Sequence, residues 1–404
     1  MVRNLLICIV ATITVTALSC QSLQRDEPPD GYPDIPPNEM TRVIHFNVGQ
    51  ADAMLLIHRG QSVLFDCGSP LEDPERALKV IPSKLINLTG KRHIDYVVIS
   101  HYHQDHLGNP GRGGPKTRRS GLYSLLDDAN ITVGTLIDRG RWALGKPSAT
   151  YKKYHRATQR WLQERKVWNH KTVQTGDVIT IGKDLRITFV AASGNGLFQE
   201  LYVRYSDFLS EYPPSENDFS LAALIELGNF ELFVGGDLTG ANIVRRFGPN
   251  GTSYNDIESW IAADVGFVEM YRVNHHGSGH SSNPCFIDHL EPRVSIISSG
   301  HHNRYGHPAD DVMERLQSRG DVWITGGAYA GAPQNTRASV KAKDIDVWIW
   351  PGGDKFWVEG THYEAWDDKT ERERFGKRYP CQDETLDTYK VDARRMLKGS
   401  KKDD

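Results

Sequence analysis

Cysteine is scarce in this chain of 404 residues. There are five, and Cys8 and Cys20 both fall within the first twenty positions. The remaining Cys67, Cys285 and Cys381 share no motif spacing, which excludes a disulfide framework and a thiolate zinc site. Three buried thiols are expected, with a single disulfide as the alternative. Long apolar runs are lacking too. Beyond residue 20 none approaches the roughly 20 residues that a membrane helix needs, so no span is expected in the body of the chain. An excess of one charge is also missing: 48 Lys and Arg stand against 51 Asp and Glu, a formal net charge of −3. That excludes a uniformly basic nucleic-acid sleeve while leaving room for a local basic patch. No internal repeat or heptad run is present. What remains, at 39% hydrophobic and 25% charged residues, is the composition of an ordinary globular protein.

Residues 1–20 read as an export segment: Arg3 comes early, an apolar stretch runs from Leu5 to Val15, and small residues precede Cys20. Ala17-Leu18-Ser19-Cys20 is similar to a bacterial lipobox, although Leu is commoner than Ala three positions before the cysteine. Lipid anchoring at Cys20 is therefore the first expectation, plain secretion the second and an uncleaved N-terminal anchor the third. Residues 21–40 are Pro-rich and acidic, an extended tether. A folded body is expected over 41–360. From Thr361 onward the chain carries eleven acidic and eleven basic residues and few apolar ones, so an exposed, unstructured tail is expected.

Within the body, "TRVIHFNV", "AMLLI" and "SVLFDC" read as a strand meander. A helix is expected over 73–88, with Asp73 as cap and Pro74 at the first helical position. Further helices are expected near 149–166, 254–263, 284–290 and 308–318. "FSLAALIEL" and "FELFVGG" form a hairpin turning at Gly228-Asn229. Residues 193–217 read as an inserted loop. Strand blocks alternate with helices, yet each half opens on consecutive strands, which suits two mixed sheets packed face to face with helices outside. Trp323, Trp348, Trp350 and Trp357 alternate with polar residues and are expected to pack a sheet.

The stretch "VVISHYHQDHLGN" (residues 97–109) carries the chemistry. An apolar strand runs straight into His101, His103, Asp105 and His106. His101 and His103, as alternate residues, can point at one metal, while Asp105 and His106 reach a second. Nine of the sixteen histidines fall in three clusters: this one, His275, His276 and His280 in "NHHGSGH", and His301, His302 and His307 in "SGHHNRYGHP". Each cluster follows an apolar strand. "LFVGGD" ends another strand at Asp237, where a carboxylate can bridge two cations. Imidazole with carboxylate suits Zn²⁺, with Mn²⁺ or Fe²⁺ as alternatives.

The order of these motifs resembles the metallo-β-lactamase superfamily, and within it the hydrolase domain of ComEC-like competence proteins. "FNVGQADAMLL", "LFDCG", "NDFSLAALIEL" and "GGD" are similar to that subgroup's motifs, and "HHGS" and "NRYGHP" match letter for letter. The resemblance covers about residues 41–350. It implies an α/β four-layer αβ/βα sandwich with two metals at one edge. The ligands it implies are His101, His103, Asp105, His106, Asp237 and one of His275 and His276, with His275 preferred. The chain departs from the pattern at Asn47, which replaces an Asp, and at Ala51, which replaces a Gly. His103 stands where the subgroup often has Asp. Asn217-Asp218 stands where many superfamily hydrolases place a ligand histidine.

Two cations about 3.5–4 Å apart acidify a shared water and polarise a substrate oxygen. Asp105, His307 and His276 are the catalytic candidates, with His307 placed to hydrogen-bond the transition state or to protonate the leaving group. Asn303 and Tyr305 could orient substrate. So could Arg112 and Arg118, in the Gly-rich basic loop after the metal cluster, if the substrate is anionic. Asp52, Asp66 and Asp218 are expected to brace ligand imidazoles. The expected function is an exported hydrolase of an anionic phosphodiester, either nucleic acid or a phosphorylated envelope polymer, touching the membrane only through its lipid anchor. Hydrolysis of a lactone or β-lactam is the alternative, and a non-catalytic metal-binding lipoprotein the third. No protein partner can be inferred.

Overall fold

The structure, a computed structural model, describes residues 38–69, 74–111, 119–140, 148–193, 215–240, 256–300, 303–326, 338–340, 343–366 and 381. The expected export segment and most of the tether lie outside these residues, as do Asp73, Arg112, Arg118, His301 and His302.

In chain order the strands are β1 (Thr41–His45), β2 (Ala53–His58), β3 (Gln61–Cys67), β4 (His93–Val98), β5 (Thr132–Asp138) and β6 (Val167–Thr172). Then follow β7 (Val178–Ile181), β8 (Leu185–Ala191), β9 (Ala222–Leu227), β10 (Phe230–Val234), β11 (Met270–Arg272), β12 (Val294–Ile297), β13 (Asp321–Ile324) and β14 (Ala338–Val340). Last come β15 (Ile345–Ile349), β16 (Lys355–Val358) and β17 (Thr361–Glu364). The first sheet has the order β17-β16-β15-β1-β2-β3-β4-β5-β6 and the second β14-β13-β12-β11-β10-β9-β8-β7. In the first sheet β3 through β6 run parallel; in the second, β10 through β14 do.

Alternation along each strand explains the layering, because successive side chains point to opposite faces. On β2, Met54 and Leu56 join a core shared by both sheets, while Ala53 and Leu55 face outward to a second core with Leu122, Leu125 and Trp161. On β10, Leu232 and Val234 face the shared core, and Phe233 faces a third with Ile261, Phe286 and Met313. Strands buried on both faces read as unbroken apolar runs. The outer cores are roofed by helices. Those over the first sheet are α1 (Pro74–Thr89), α3 (Gly121–Asp127) and α4 (Ala149–Gln163), with the one-turn α2 (Gln104–Leu107) at its rim. Those over the second are α5 (Glu258–Val265), α6 (Pro284–Leu290) and α7 (Asp310–Gln317). Helix α4 shows the pattern well: Ser148 caps it by accepting from Tyr151 N, and Tyr154, Ala157, Thr158 and Trp161 bury one face. The result is the expected four-layer αβ/βα sandwich.

Three expectations change. Strand β6, "VWNHKT", was absent from the sequence reading: it is an edge strand, polar and half-exposed, so it lacks the apolar run that marks the others. The sheet continues past residue 360, since β17 pairs antiparallel with β16 and Tyr363 stacks on Phe356. Cys285 and Cys381 form a disulfide and, among the described residues, Cys67 alone is a free buried thiol, where three thiols were the first expectation and one disulfide the alternative. The tryptophans do pack: Trp348 and Trp357 form a small cluster with Met40, and Trp323 joins the shared core.

Candidate metal centre

Five strand ends meet at one rim. The segment after β4 delivers His101, His103, Asp105 and His106; β3 ends beside Asp66; β10 leads to Asp237; β11 leads to His275 and His276; β12 leads to Ser298. Backbone bonds knit these loops, with Asp52 N–H donating to Asp105 O and Gly68 N–H to Asp52 O, each at 2.8 Å. Two glycines make the fit feasible. A side chain at Gly68 would run into the Asp105 carbonyl, and Gly236, at φ +56°, packs its Cα face on Ser100 just before Asp237.

The ligand-type atoms gather in two groups, each within 4.8 Å: His101, His103 and Asp237, and Asp52, His106, Asp237 and His276. Asp237 belongs to both. Its Oδ1 lies 2.9 Å from His106 Nε2 and 3.8 Å from His276 Nε2, and its Oδ2 lies 3.7 Å from His101 Nε2. His101 Nε2 and His103 Nδ1 are 2.9 Å apart. Asp105 Oδ2 is 3.5 Å from His276 Nε2.

The rings are held from behind, as ligand imidazoles require. His106 Nδ1 is 2.9 Å from Asp66 Oδ2, and Asp66 in turn accepts from Ser100 N and Oγ. His276 Nδ1–H donates to Ser298 O at 2.7 Å. Both rings therefore turn Nε2 inward. His106 Nε2, His276 Nε2 and Asp237 Oδ1 are buried with no hydrogen-bond partner, a costly arrangement unless something positive binds there. Electrostatics agree. Burial opposes a charge on His106, yet Asp237 and Asp66 prevail and raise its pKa well above the imidazole range. For His276 burial likewise loses to Asp237 and Asp52, and the pKa rises to about 9. Burial also opposes the charge on Asp237, and His106, His275 and His276 overcome it to hold the carboxyl well below its usual range. A dication would supply the positive charge that buried protons supply here. The donor set fits a pair of divalent cations.

Of the adjacent histidines, His276 belongs to the second group of ligand-type atoms, while His275, the residue preferred from the sequence, stands beside Asp237 outside both groups. Residues 275 and 276 are both left-handed (φ 51° and 55°), a conformation that side chains adopt reluctantly. That turn drives His276 into the centre and leaves His275 at its edge, with Nε2 3.2 Å from Asn217 Nδ2 and 3.6 Å from Asp237 Oδ2. Burial lowers the His275 pKa to about 4. His307 packs edge-on to His275 with ring centroids 5.7 Å apart, and Tyr305 stacks on His307. Tyr305 is exposed and its hydroxyl accepts from Arg304 at 2.6 Å. Asn303 is not free to touch substrate. Its side chain donates to Gly300 O and His307 O and accepts from Tyr305 N and His307 N, so it shapes the loop that presents His307. Asp218 accepts from Ser215 N and Thr239 Oγ1, tying the 215–220 turn to the loop after Asp237. Asp52 faces His106 and His276 from their Nδ1 side and pairs with Arg272.

Two buried charged residues escaped the sequence reading. Arg272 ends the strand that leads to the histidines, and Glu258 lies beneath the 274–283 loop. A charge set within the largely apolar stretch 266–274 was the available signal for Arg272, since a buried guanidinium demands a counter-ion.

Residues 46–110 match the Metallo-beta-lactamase superfamily. ComE operon protein 3 of Bacillus subtilis is 28% identical over 67% of this chain and 30% of its own length. Competence protein ComA of Neisseria gonorrhoeae is 24% identical over 78% and 35%. Recombination protein 2 of Haemophilus influenzae is 22% identical over 72% and 27%. The chain thus spans about a third of the length of these relatives. With its two mixed sheets and the histidine–aspartate cluster at their rim, the chain carries a segment that matches the metallo-β-lactamase superfamily and is similar at modest identity to the ComEC-like competence proteins.

Proposed function

We propose that this chain is an exported hydrolase of phosphodiester bonds that works with two divalent cations, zinc by preference. The observation that carries it is Asp237, one buried carboxylate shared by two groups of metal-ligand atoms. His101, His103 and Asp237 would hold one cation; His106, His276, Asp105 and Asp237 the other. Bound there, the pair would supply a water acidified toward neutral pH and positive charge for the substrate oxygen.

The protein's own groups do the rest. Asp66 and Ser298 fix the two imidazoles of the second group so that their Nε2 atoms face inward. Burial and the neighbouring His275 push the His307 pKa down to about 3, so at neutral pH it is an uncharged ring that can donate an N–H to a substrate oxygen. A role as proton donor to the leaving group is the weaker one, because the ring carries no acidic proton at that pH. Tyr305 and Arg304 flank this edge with an aromatic face and a guanidinium, which suits an anionic ester. Extracellular nucleic acid and phosphorylated envelope polymers are the substrate classes of that kind. Export is supported by the residues before Cys20 and by the Cys285–Cys381 disulfide, a bond that persists in oxidising compartments. Lipid anchoring at Cys20 rests on the sequence alone, and no described helix is long and apolar enough to cross a membrane.

The test pairs metal analysis with hydrolysis of bis(p-nitrophenyl) phosphate, a lactone and nitrocefin. Wild type should bind two cations and cleave the phosphodiester, and Asp105→Ala should lose metal and activity together. Cleavage of the acyl substrates alone would overturn the phosphodiester reading.

A further inference from the structure

Arg272 lies 2% exposed at the end of β11, beneath the metal centre. A guanidinium taken from water is costly unless paired and hydrogen-bonded. Its counter-ion is Asp52, with Nη2 2.9 Å from Oδ1, yet Nε, Nη1 and Nη2 all lack an aligned hydrogen-bond partner. Neighbouring His45 is fully buried, and burial followed by Arg272 itself lowers its pKa to about 3, so it stays neutral and adds no second positive charge beside the guanidinium. Such an exposed cost, met by one carboxylate, suggests a use for the pair beyond packing.

Asp52 lies behind two rings at once. Its Oδ2 is 3.8 Å from His106 Nδ1 and its Oδ1 is 3.9 Å from His276 Nδ1. Neither nitrogen needs it as a hydrogen-bond partner, because Asp66 and Ser298 O already serve them. What Asp52 brings is negative charge on the far side of both imidazoles, which makes each Nε2 a better donor to a cation. It also sits close enough to the same atoms to compete as a ligand. No described ion pair joins Asp52 to His101 or His103, whose group has Asp237 as its only carboxylate.

We propose that Arg272 is a positioning residue for the His106–His276 half of the centre: by pairing with Asp52 it holds that carboxylate behind both rings and outside the coordination set. The proposal rests on the two-cation reading above. It predicts asymmetry, because the His101–His103 position has no such support to lose.

The experiment is equilibrium dialysis of the full chain against Zn²⁺ and Co²⁺, with metal bound per chain measured for wild type, Arg272→Met, Arg272→Lys and Asp52→Asn. Wild type should take up two cations. Arg272→Met should keep the tighter cation and bind the second about 10–100-fold more weakly, the range for losing a group that braces a ligand. Arg272→Lys, which keeps the charge, should recover most of that loss, as a purely packing role would not require. If Arg272→Met does not fold, Asp52→Asn decides: selective loss of one cation supports the proposal. Equal weakening of both positions, or no change at either, in Arg272→Met or Asp52→Asn overturns it. A wild type that binds fewer than two cations counts against the two-cation reading itself and takes this proposal with it. Two cations bound by Arg272→Met with the same affinities as wild type would sink the proposal alone.

Discussion

His275 and His276 are neighbours in sequence with different tasks, and the difference is set by two left-handed backbone conformations rather than by residue type. His276 brings Nε2 to Asp105 and Asp237, while His275 meets Asn217 at the edge. His276→Ala should therefore lose metal far more than His275→Ala does, read as metal retained after gel filtration. The reverse ranking would return the ligand role to His275. Asp237 is the sterner case, because both groups share it. Asp237→Ala should empty both positions and cut hydrolysis by more than the roughly 10–100-fold typical of outer partners. Retention of one cation in Asp237→Ala would show that the carboxylate does not bridge. The histidine clusters themselves were legible because imidazoles placed straight after apolar strands have few structural uses. Which ring turns inward was not legible, since sequence spacing cannot distinguish adjacent residues whose backbone is left-handed.

Among the elements, the loop from Asn274 to Asn283 joins β11 to α6 and is held from below by Glu258 on α5. The carboxyl group, wholly buried, accepts from Asn274 Nδ2, Ser282 N and Asn283 N, so it clamps both ends of the segment that carries His275 and His276. Burial outweighs those three donors and raises its pKa to about 7; burial raises the adjacent Asp256 to about 6. A folded-state pKa above the unfolded value means that the folded chain holds the proton longer. The stability from this group is thus fully present below the unfolded carboxyl range, near 4.5, and is lost as pH rises through about 7. Melting temperatures measured from pH 5 to 8 should show wild type losing stability relative to Glu258→Gln across that window. A difference that stays flat with pH would refute the shifted carboxyl. Elements differ in legibility for a similar reason. Strands such as β2 and β10, buried on both faces, declare themselves as apolar runs, whereas β6 and β17 are polar edge strands whose pairing is decided by the neighbour they join. Glu258 was invisible because its three partners lie 16 to 25 residues away along the chain.

Across the whole molecule, the route of the chain gives the Cys285–Cys381 disulfide its weight. Cys285 lies on α6, in the layer that covers the second sheet. The chain then passes through β12, β13 and β14 of that sheet, crosses to add β15, β16 and β17 to the first, and returns to Cys381, which packs on the third core beside His289. The bond closes a path with a sequence separation of 96 residues that links both sheets. Cross-links over loops of that length restrict the unfolded chain and typically contribute about 2–5 kcal/mol. Cys285→Ala/Cys381→Ala should therefore lose stability by an amount in that range, read as an unfolding midpoint at lower denaturant concentration. Metal uptake should be unchanged, because the ligands sit on strand ends ordered by Asp66, Glu258 and the backbone bonds among their loops. An unfolding midpoint identical to wild type in the double variant would mean that the last three strands hold to the first sheet through their own pairing and need no staple.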